Sequence, residues 1–469
     1  MTLPSQARGI LASDMLSQTN AKPRSSRSPL HHAVWLSVLT LLGAACSSSS
    51  NQEEIDPPTV DPEPESVLDR AAALGFGQFV ALARASSLEE LLEGDDDVTL
   101  FAPTDASFAL LPVGEVNGLF APGAEALLDA FVGYHITMGT VDAATLEGLE
   151  QIPMVAAAEA FVDSAASGIV INDARIQLTD ANGDNGLLFG IDRPLELPRP
   201  VLETMERRGM GTLLELIDLA GLTGSINGGQ TTIIAPTEDA FNALPAGELD
   251  FLRDPANQAE LQSRLDLHLI PGVATASALV DIDAIQNAAG SFLFFERDLS
   301  GDPRVNGVGI ESLNIRCTDG VLHTIGVVFD ELPTVRERAN EEGLLTLSSL
   351  VFASGLGDEL DTSSPLTLFG PTDLGIELGL QPGVIDMLVD PANLARLQQF
   401  VRAHTVAAPL SFGALIPGTT LTAVSGDSIE VTESFGDTTL NGTVQLTVRN
   451  VYASNGVLHV IDGVLDDGM

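Results

Sequence analysis

Three stretches of the chain repeat one order of apolar and polar positions. Each opens with apolar residues at helical spacing, over Ser66 to Leu92, Val201 to Leu222 and Val335 to Leu356. That spacing predicts helices with one face on a core. Each stretch then reaches an unbroken apolar run ending in proline: Thr99-Leu100-Phe101-Ala102-Pro103, Thr232-Ile233-Ile234-Ala235-Pro236 and Thr367-Leu368-Phe369-Gly370-Pro371. Such a run predicts a buried strand. The proline predicts its end, since proline has no N–H to give a ladder. Thr104, Thr237 and Thr372 follow at the place of a helix N-cap. Asp105, Glu238 and Asp373 come next, in a first turn whose dipole favours an anion. That helix is expected to run through Phe108, Phe241 and Ile376, and a further helix is expected over Asn257 to Leu269. Each stretch closes on Asn185-Gly186, Asp319-Gly320 or Asn455-Gly456 and an alternating strand such as Val457-Leu458-His459-Val460-Ile461. These dipeptides predict tight hairpins.

The markers keep step along the chain. Pro103, Pro236 and Pro371 lie 133 and 135 residues apart, and His135, His268 and His404 lie 133 and 136 apart. Gly186, Gly320 and Gly456 lie 134 and 136 apart. Stacked solenoids repeat every roughly 20–50 residues, so here whole domains repeat. Helices followed by hairpin-paired strands make each an α+β domain. The expected boundaries are 66–198, 199–332 and 333–466.

Composition fits folded domains, since 45 % of the 469 residues are hydrophobic. Charge is lopsided, with 21 Lys+Arg against 65 Asp+Glu and a net charge of −44. Residues 1–45 hold four of the bases and one acid, so the remainder carries 17 arginines, no lysine and 64 acids. Such a surface repels phosphate backbones and excludes nucleic acid as the expected partner. It reads first as a solvated acidic surface, and it would draw divalent cations or cationic surfaces.

The first 45 residues have another pattern. A basic start, the apolar run Ala33 to Ala45 and small residues at its end predict a secretory signal over 1–45. The run is too short to span a bilayer as a helix. Cys46, directly after small residues, resembles a bacterial lipoprotein cleavage site. That resemblance implies a diacylglycerol on the Cys46 thiol and, with Ser47 next, an outer-membrane address. Gly43 departs from the pattern, in which Leu usually stands three places before the cysteine. The other reading is an ordinary signal cut near Ala45, which would release a secreted or periplasmic protein. Residues 46–65, rich in serine, proline and acid, read as a tether.

Five histidines follow the signal, at 135, 268, 323, 404 and 459, and all fall in the repeat markers. A zinc site needs three or four ligands, and the first repeat has Phe189 where the others have His323 and His459. The histidines are therefore expected to bond backbone beside the core, and no metal is expected. Cys317 reads as a small buried residue in a strand over Leu313 to Cys317, with His323 six places on as the candidate base of a Cys–His pair. Asp180 to Gly186 loosely resembles a calcium loop but lacks glycine at its sixth place and an acid at its twelfth, Ile191. It reads as a turn. Asp95-Asp96-Asp97 reads as a solvated loop. No nucleophile elbow, zincin helix or phosphate loop occurs. No catalytic residue, cofactor or enzymatic activity is expected.

The strand with Phe101-Ala102-Pro103-Thr104-Asp105, the midpoint Tyr134-His135 and the closing Asn455-Gly456-Val457-Leu458-His459-Val460-Ile461-Asp462 resemble the three signature boxes of fasciclin-like domains. The resemblance covers about residues 66–466. It implies three tandem domains, each a wedge or sandwich of β-strands with packed helices. It also implies a non-enzymatic adhesion or matrix-binding protein of the cell surface or exterior, meeting matrix or cell-surface protein or polysaccharide. The membrane would be reached only through the lipid anchor. A carrier of a small apolar ligand, carotenoid or lipid, is the alternative. In animal members the neighbourhood of the Tyr-His pair is linked to integrin binding. That role carries weakly to Tyr134 and His135, since Leu267 and Ala403 replace the tyrosine elsewhere.

Overall fold

The computed structural model describes residues 65–465, apart from 166–167, 283, 299, 363–364 and 435. The signal segment, Cys46 and all but the last residue of the tether lie outside the described residues. Within them, the three repeats build three seven-stranded sheets of one topology.

In the first unit the opening pattern becomes three short helices, Val67–Ala73, Gly77–Ala85 and Glu89–Glu93. The apolar run becomes the fully buried strand Val98–Pro103. The alternating end becomes the strand Gly186–Ile191. These two strands, 88 residues apart at Val98 and Gly186, lie side by side and parallel. The same pairing joins Thr231–Pro236 to Gly320–Ile325 and Leu366–Pro371 to Gly456–Ile461. The remaining strands pair antiparallel, so each sheet is mixed. Hairpins alone do not build it.

Each unit holds two cores. On one side of the sheet the opening helices pack with residues such as Phe79, Leu82, Leu100 and Leu188. On the other, Phe101 and Phe189 from the central strands share a cluster with Ile152 from the far edge. Neighbouring strands stand about 4.8 Å apart, so a flat sheet would hold these residues well out of reach. The sheet therefore curls round on itself and encloses the second core. The second and third units repeat both clusters.

The closing dipeptides turn the expected hairpins, with Asn185 and Asn455 in two-residue loops between Gly183 and Gly186 and between Ala453 and Gly456, and they do more besides. The glycine already belongs to the closing strand, where it passes hard against the first. A Cβ on Gly186 would stand 1.8 Å from the Val98 carbonyl oxygen, and one on Gly320 or Gly456 would stand 2.2 Å from Thr231 O or Leu366 O. The residue before the glycine is a clamp. The Asn185 and Asn455 side-chain oxygens accept the first helical N–H, from Val67 at 2.7 Å and Val335 at 2.9 Å. Their amides donate to the end of the third helix, at Leu92 O and Leu360 O. Asp319 keeps the first bond, from Val201 N at 2.8 Å.

The acids after proline also act across the unit. The N-cap threonine bonds its own helix in the third unit, where Thr372 Oγ1 accepts from Gly375 N; the Thr104 and Thr237 side chains make no such bond. Asp105, Glu238 and Asp373 instead accept the backbone N–H of Gln78, Thr212 and Thr346, at 2.8, 2.6 and 2.8 Å. Each caps the second opening helix rather than the one it begins.

Gly320→Ala and Gly456→Ala are each expected to cost about 3 kcal/mol or more, at the upper end of overpacking. Thermal melting of the two variants against Gly309→Ala, where a Cβ meets open space and φ is not positive, reads the difference. Equal melting would remove the close approach as the reason for glycine.

Candidate functional site

The midpoint histidines sit where a helix runs into an edge strand. His135 and His404 follow Glu125–Gly133 and Leu394–Ala403, and their Nδ1 atoms lie 2.8 and 2.9 Å from Phe131 O and Phe400 O of those helices. His268 turns the same atom to Ile234 O, at 2.8 Å. A carbonyl only accepts, so Nδ1 carries the proton. The other nitrogen, Nε2, then accepts a backbone N–H from beyond the closing strand: Leu195 at 2.9 Å, Phe329 at 2.9 Å and Leu465 at 3.0 Å. His135 and His404 tie the exit of their units to the helix packed beneath, and His268 ties its exit to the first strand.

The closing histidines are likewise spent on backbone. His323 Nε2 lies 3.1 Å from Ala274 O and its Nδ1 accepts from Asn314 N. His459 makes the same pair with Leu410 O and Asn450 N. Burial pushes His135, His268, His323 and His459 down to about 4, against the backbone bonds that raise them. All are neutral at pH 7.

Tyr134 is wholly buried. Its hydroxyl donates to Glu159 O at 2.9 Å and accepts from the Asn172 amide at 3.0 Å. Burial pushes the phenol up to about 12. The Tyr134-His135 pair thus offers no side-chain surface. What lies outside it are the half-exposed Leu127 and Met138 on the neighbouring helix and strand.

Cys317 sits one residue past its strand, Val308–Arg316, and is buried. Its sulfur bonds Ile315 O, not His323. Burial pushes the thiol up to about 11, so no thiolate forms at neutral pH. Asp180, in the calcium-like loop, has a left-handed φ of 50° and accepts the N–H of Ala143 at 3.1 Å. Among the described residues no group of three or more His, Cys, Asp or Glu is placed to hold a metal ion.

The distinctive surface is on the third unit. The helices after Phe76, Met210 and Leu344 correspond, because the same acid caps each. Phe352 stands where the first two units have Arg84 and Asp218. It is 89 % exposed, and Leu345 on the same face is 61 % exposed. Leu374 and Leu378, on the helix Asp373–Gly379, are 60 % and 77 % exposed. A groove of about 700 Å³ runs between Leu345, Phe352 and the helix bearing Arg336 and Asn340. Beside it, a cavity of about 380 Å³ is lined by Leu356, Leu360, Leu366, Val401 and Val424, with the Glu359–Arg402 ion pair at its rim. The acid caps and this apolar face were not read from sequence. Three acids at matching positions hinted at the first; Phe352 at the place of Arg84 and Asp218 was the available sign of the second.

The family profile described as Fasciclin domain matches residues 74–198, 208–331 and 342–467. The chain belongs to the fasciclin domain family. Among relatives of these fasciclin units, the pig transforming growth factor-beta-induced protein ig-h3 is 28 % identical over 358 residues, 74 % of this chain and 50 % of that protein. Human periostin is 24 % identical over 404 residues, 83 % of this chain and 46 % of that protein. An uncharacterized Synechocystis protein is 33 % identical over 135 residues, 98 % of its length and 29 % of this chain. The chain thus spans about half the length of the first two. A solved domain pair from the insect cell adhesion molecule Fasciclin I aligns at a TM-score of 0.29 and 16 % identity, over 56 % of this chain and 98 % of that one.

The histidines predict how these fasciclin domains respond to acid. Their folded pKa lies below the unfolded value near 6.5, so the unfolded state binds more protons as pH falls. Their stabilisation is whole above pH 6.5 and is lost as pH drops towards 4. His323→Gln is expected to be less stable at pH 7 and to show a shallower fall in melting temperature between pH 7 and 4. An unchanged slope would show that His323 does not titrate in this way.

Proposed function

We propose that this is a non-enzymatic adhesion or matrix-binding protein of the cell exterior, built from fasciclin units over 66–198, 199–332 and 333–466. The family and its relatives support an adhesion-type role. The observation that carries it further is the apolar helix end of the third unit. Leu345, Phe352, Leu374 and Leu378 expose large side chains on a chain whose charge is otherwise strongly negative. Exposed apolar patches of this kind mark contact sites. The Tyr134–His135 neighbourhood contributes in this reading by holding Leu127 and Met138 at the surface, not through its own side chains.

Cys46 carries the anchor in this proposal, with the tether holding the units off an outer membrane. Cleavage near Ala45 would make the same units secreted or periplasmic. No described helix is long and apolar enough to cross a membrane, so the proposed attachment is by lipid alone. Proposed partners are matrix or cell-surface protein and polysaccharide, not nucleic acid. The alternative, a carrier of a small lipid or carotenoid, finds support in the 380 Å³ cavity of the third unit, within the roughly 300–1,000 Å³ of ligand pockets.

Two measurements test this. Residues 66–466 are expected to be retained on cells, polysaccharide or biofilm matrix, and Phe352→Ser with Leu378→Ser to lose most of that retention. No retention on any of them, with or without calcium, would sink the adhesion reading. Mass spectrometry of the exported protein is expected to find a diacylglyceryl adduct at Cys46. An unmodified N-terminus at or near Cys46 would sink the anchor. A coloured protein or a lipid extracted in stoichiometric amount would favour the carrier.

A further inference from the structure

The three curled sheets align residue by residue at the strands that meet their neighbours. In the first unit Phe161 pairs Gln151, in the second Phe294 pairs Ala284, and in the third Glu430 pairs Thr420. The N–H of each goes to an asparagine with left-handed φ: Asn172 at 2.8 Å, Asn306 at 2.9 Å and Asn441 at 2.9 Å. Phe161, Phe294 and Glu430 are therefore one position. Two residues on, Asp163, Glu296 and Thr432 are another.

On the opposite side of each unit, Asn182, Arg316 and Tyr452 pair Leu187, Val321 and Val457, and so correspond. Two residues before them stand Asp180, Asn314 and Asn450, all at φ between 50° and 56°. The side-chain oxygen of each accepts an N–H from the start of a short helix: Ala143 at 3.1 Å, Ala276 at 2.8 Å and Phe412 at 2.6 Å.

Both joints use these positions in the same way. At the first, the Asn314 amide donates to the Asp163 carboxylate at 3.1 Å, and the Arg316 guanidinium lies 4.3 Å from the centre of the Phe161 ring. At the second, the Asn450 amide donates to Glu296 at 2.7 Å, and Tyr452 stacks on Phe294 at 5.5 Å between ring centres. An asparagine has two ends. Its oxygen caps its own unit, and its NH₂ is left facing the carboxylate of the unit before.

The two outer faces lack every part of this. The first unit has Asp180 in place of asparagine. Its carboxylate keeps the cap and has no proton to donate, and Asn182 beside it is exposed. The third unit has exposed Glu430 in place of phenylalanine. Its Thr432 supplies no carboxylate, and the hydroxyl is engaged with Thr439 at 2.8 Å. Bringing the two faces together would set Asp180 against Thr432, with no amide-to-carboxylate bond between them, and Glu430 against Asn182, with no aromatic ring on either side. An interface without its buried aromatic anchors and paired polar groups lacks the residues that carry most of the binding energy.

We propose that the units dock through one repeated joint, phenylalanine and carboxylate on one side and asparagine with an aromatic or guanidinium on the other. We propose also that the Asp180/Asn182 and Glu430/Thr432 faces refuse a second copy of the chain. Heterologous faces of this kind otherwise propagate into open chains of subunits. The refusal keeps each chain separate.

Asn450→Asp in the full chain tests the joint. It preserves the cap to Phe412, is the same size, and places two carboxylates where one bond was. Small-angle scattering is expected to show a larger radius of gyration than wild type, with unchanged circular dichroism. An unchanged radius would overturn the proposal. A second experiment tests the outer faces. Full chain carrying Glu430→Phe and Thr432→Glu is mixed with full chain carrying Asp180→Asn and Asn182→Tyr, near ~1 mM, the effective concentration of a short linker. The mixture is expected to sediment as a dimer, with each variant alone and wild type monomeric. A monomeric mixture of folded chains, or wild type that self-associates and stops on Asp180→Arg, would overturn it.

Discussion

Each unit depends on one contact between residues far apart in sequence, the parallel pairing of its first strand with its last. Thr99 meets Leu187, Thr232 meets Val321 and Thr367 meets Val457. Until the last strand arrives, the first has only the short edge strand beside it, such as Ile136–Met138. Loop closure over nearly ninety residues must be met before the contact rewards it. Its consequences radiate outward. The glycine that permits the approach fixes where the closing strand begins. The asparagine before it then lies under the opening helices and takes their loose ends. The midpoint histidine, at the other end of the sheet, takes the chain as it leaves.

The buried polar groups follow from this geometry. A curled sheet with two cores leaves backbone N–H and C=O groups at its corners away from water, and each unpaired one is costly. A neutral imidazole offers one donor and one acceptor on a rigid ring, so it joins a carbonyl to an N–H across a corner. That is how His135, His268 and His404 are used. Where the first unit has Phe189 in place of the closing histidine, that ring stacks on Phe101 at 5.5 Å. The third unit keeps His459 stacked on Phe369 at 5.6 Å. The packing place survives the change of chemistry, which is what a structural role permits and a catalytic one does not.

Much of this was legible in the sequence. The period, the α+β class, the buried first strand, the closing alternation and the backbone-bonded histidines all follow from local pattern. What escaped were partners set by the fold. Asp105 sits in the first turn of its own helix, so its sequence position suggests the local dipole, yet it caps Gln78 across the unit. Asn185-Gly186 reads as a turn, and Asn185 does sit in one, but nothing local shows that the glycine is also needed by Val98 and the asparagine by Val67. Neither partner lies within twenty residues. Tyr134 looked like a contact residue through family likeness alone; apolar neighbours on both sides of it were consistent with the buried position it takes.

The absence of lysine from the units gains meaning at the first joint. Asp173 is almost wholly buried there between Arg193 at 2.9 Å and Arg208 at 2.7 Å. Burial works against its charge, but the two arginines outweigh that and hold its pKa below the ordinary carboxylate value. Arg208 reaches Glu196 as well, at 2.7 Å, and the Arg316 guanidinium lies over the Phe161 ring. A planar fork can do all of this, whereas an ammonium point charge cannot span two carboxylates or stack. In a chain with nearly four acids for every base after the signal, each cation must serve several anions if carboxylates are to enter a joint. At the second joint Glu296, with Arg304 opposite it on the neighbouring strand, takes an amide and sits beside the Phe294–Tyr452 stack. Acidic units can therefore be stacked in either way. The two outer faces offer neither: Asp180 would meet Thr432 with no amide to donate, and Glu430 would meet Asn182 with no ring on either side.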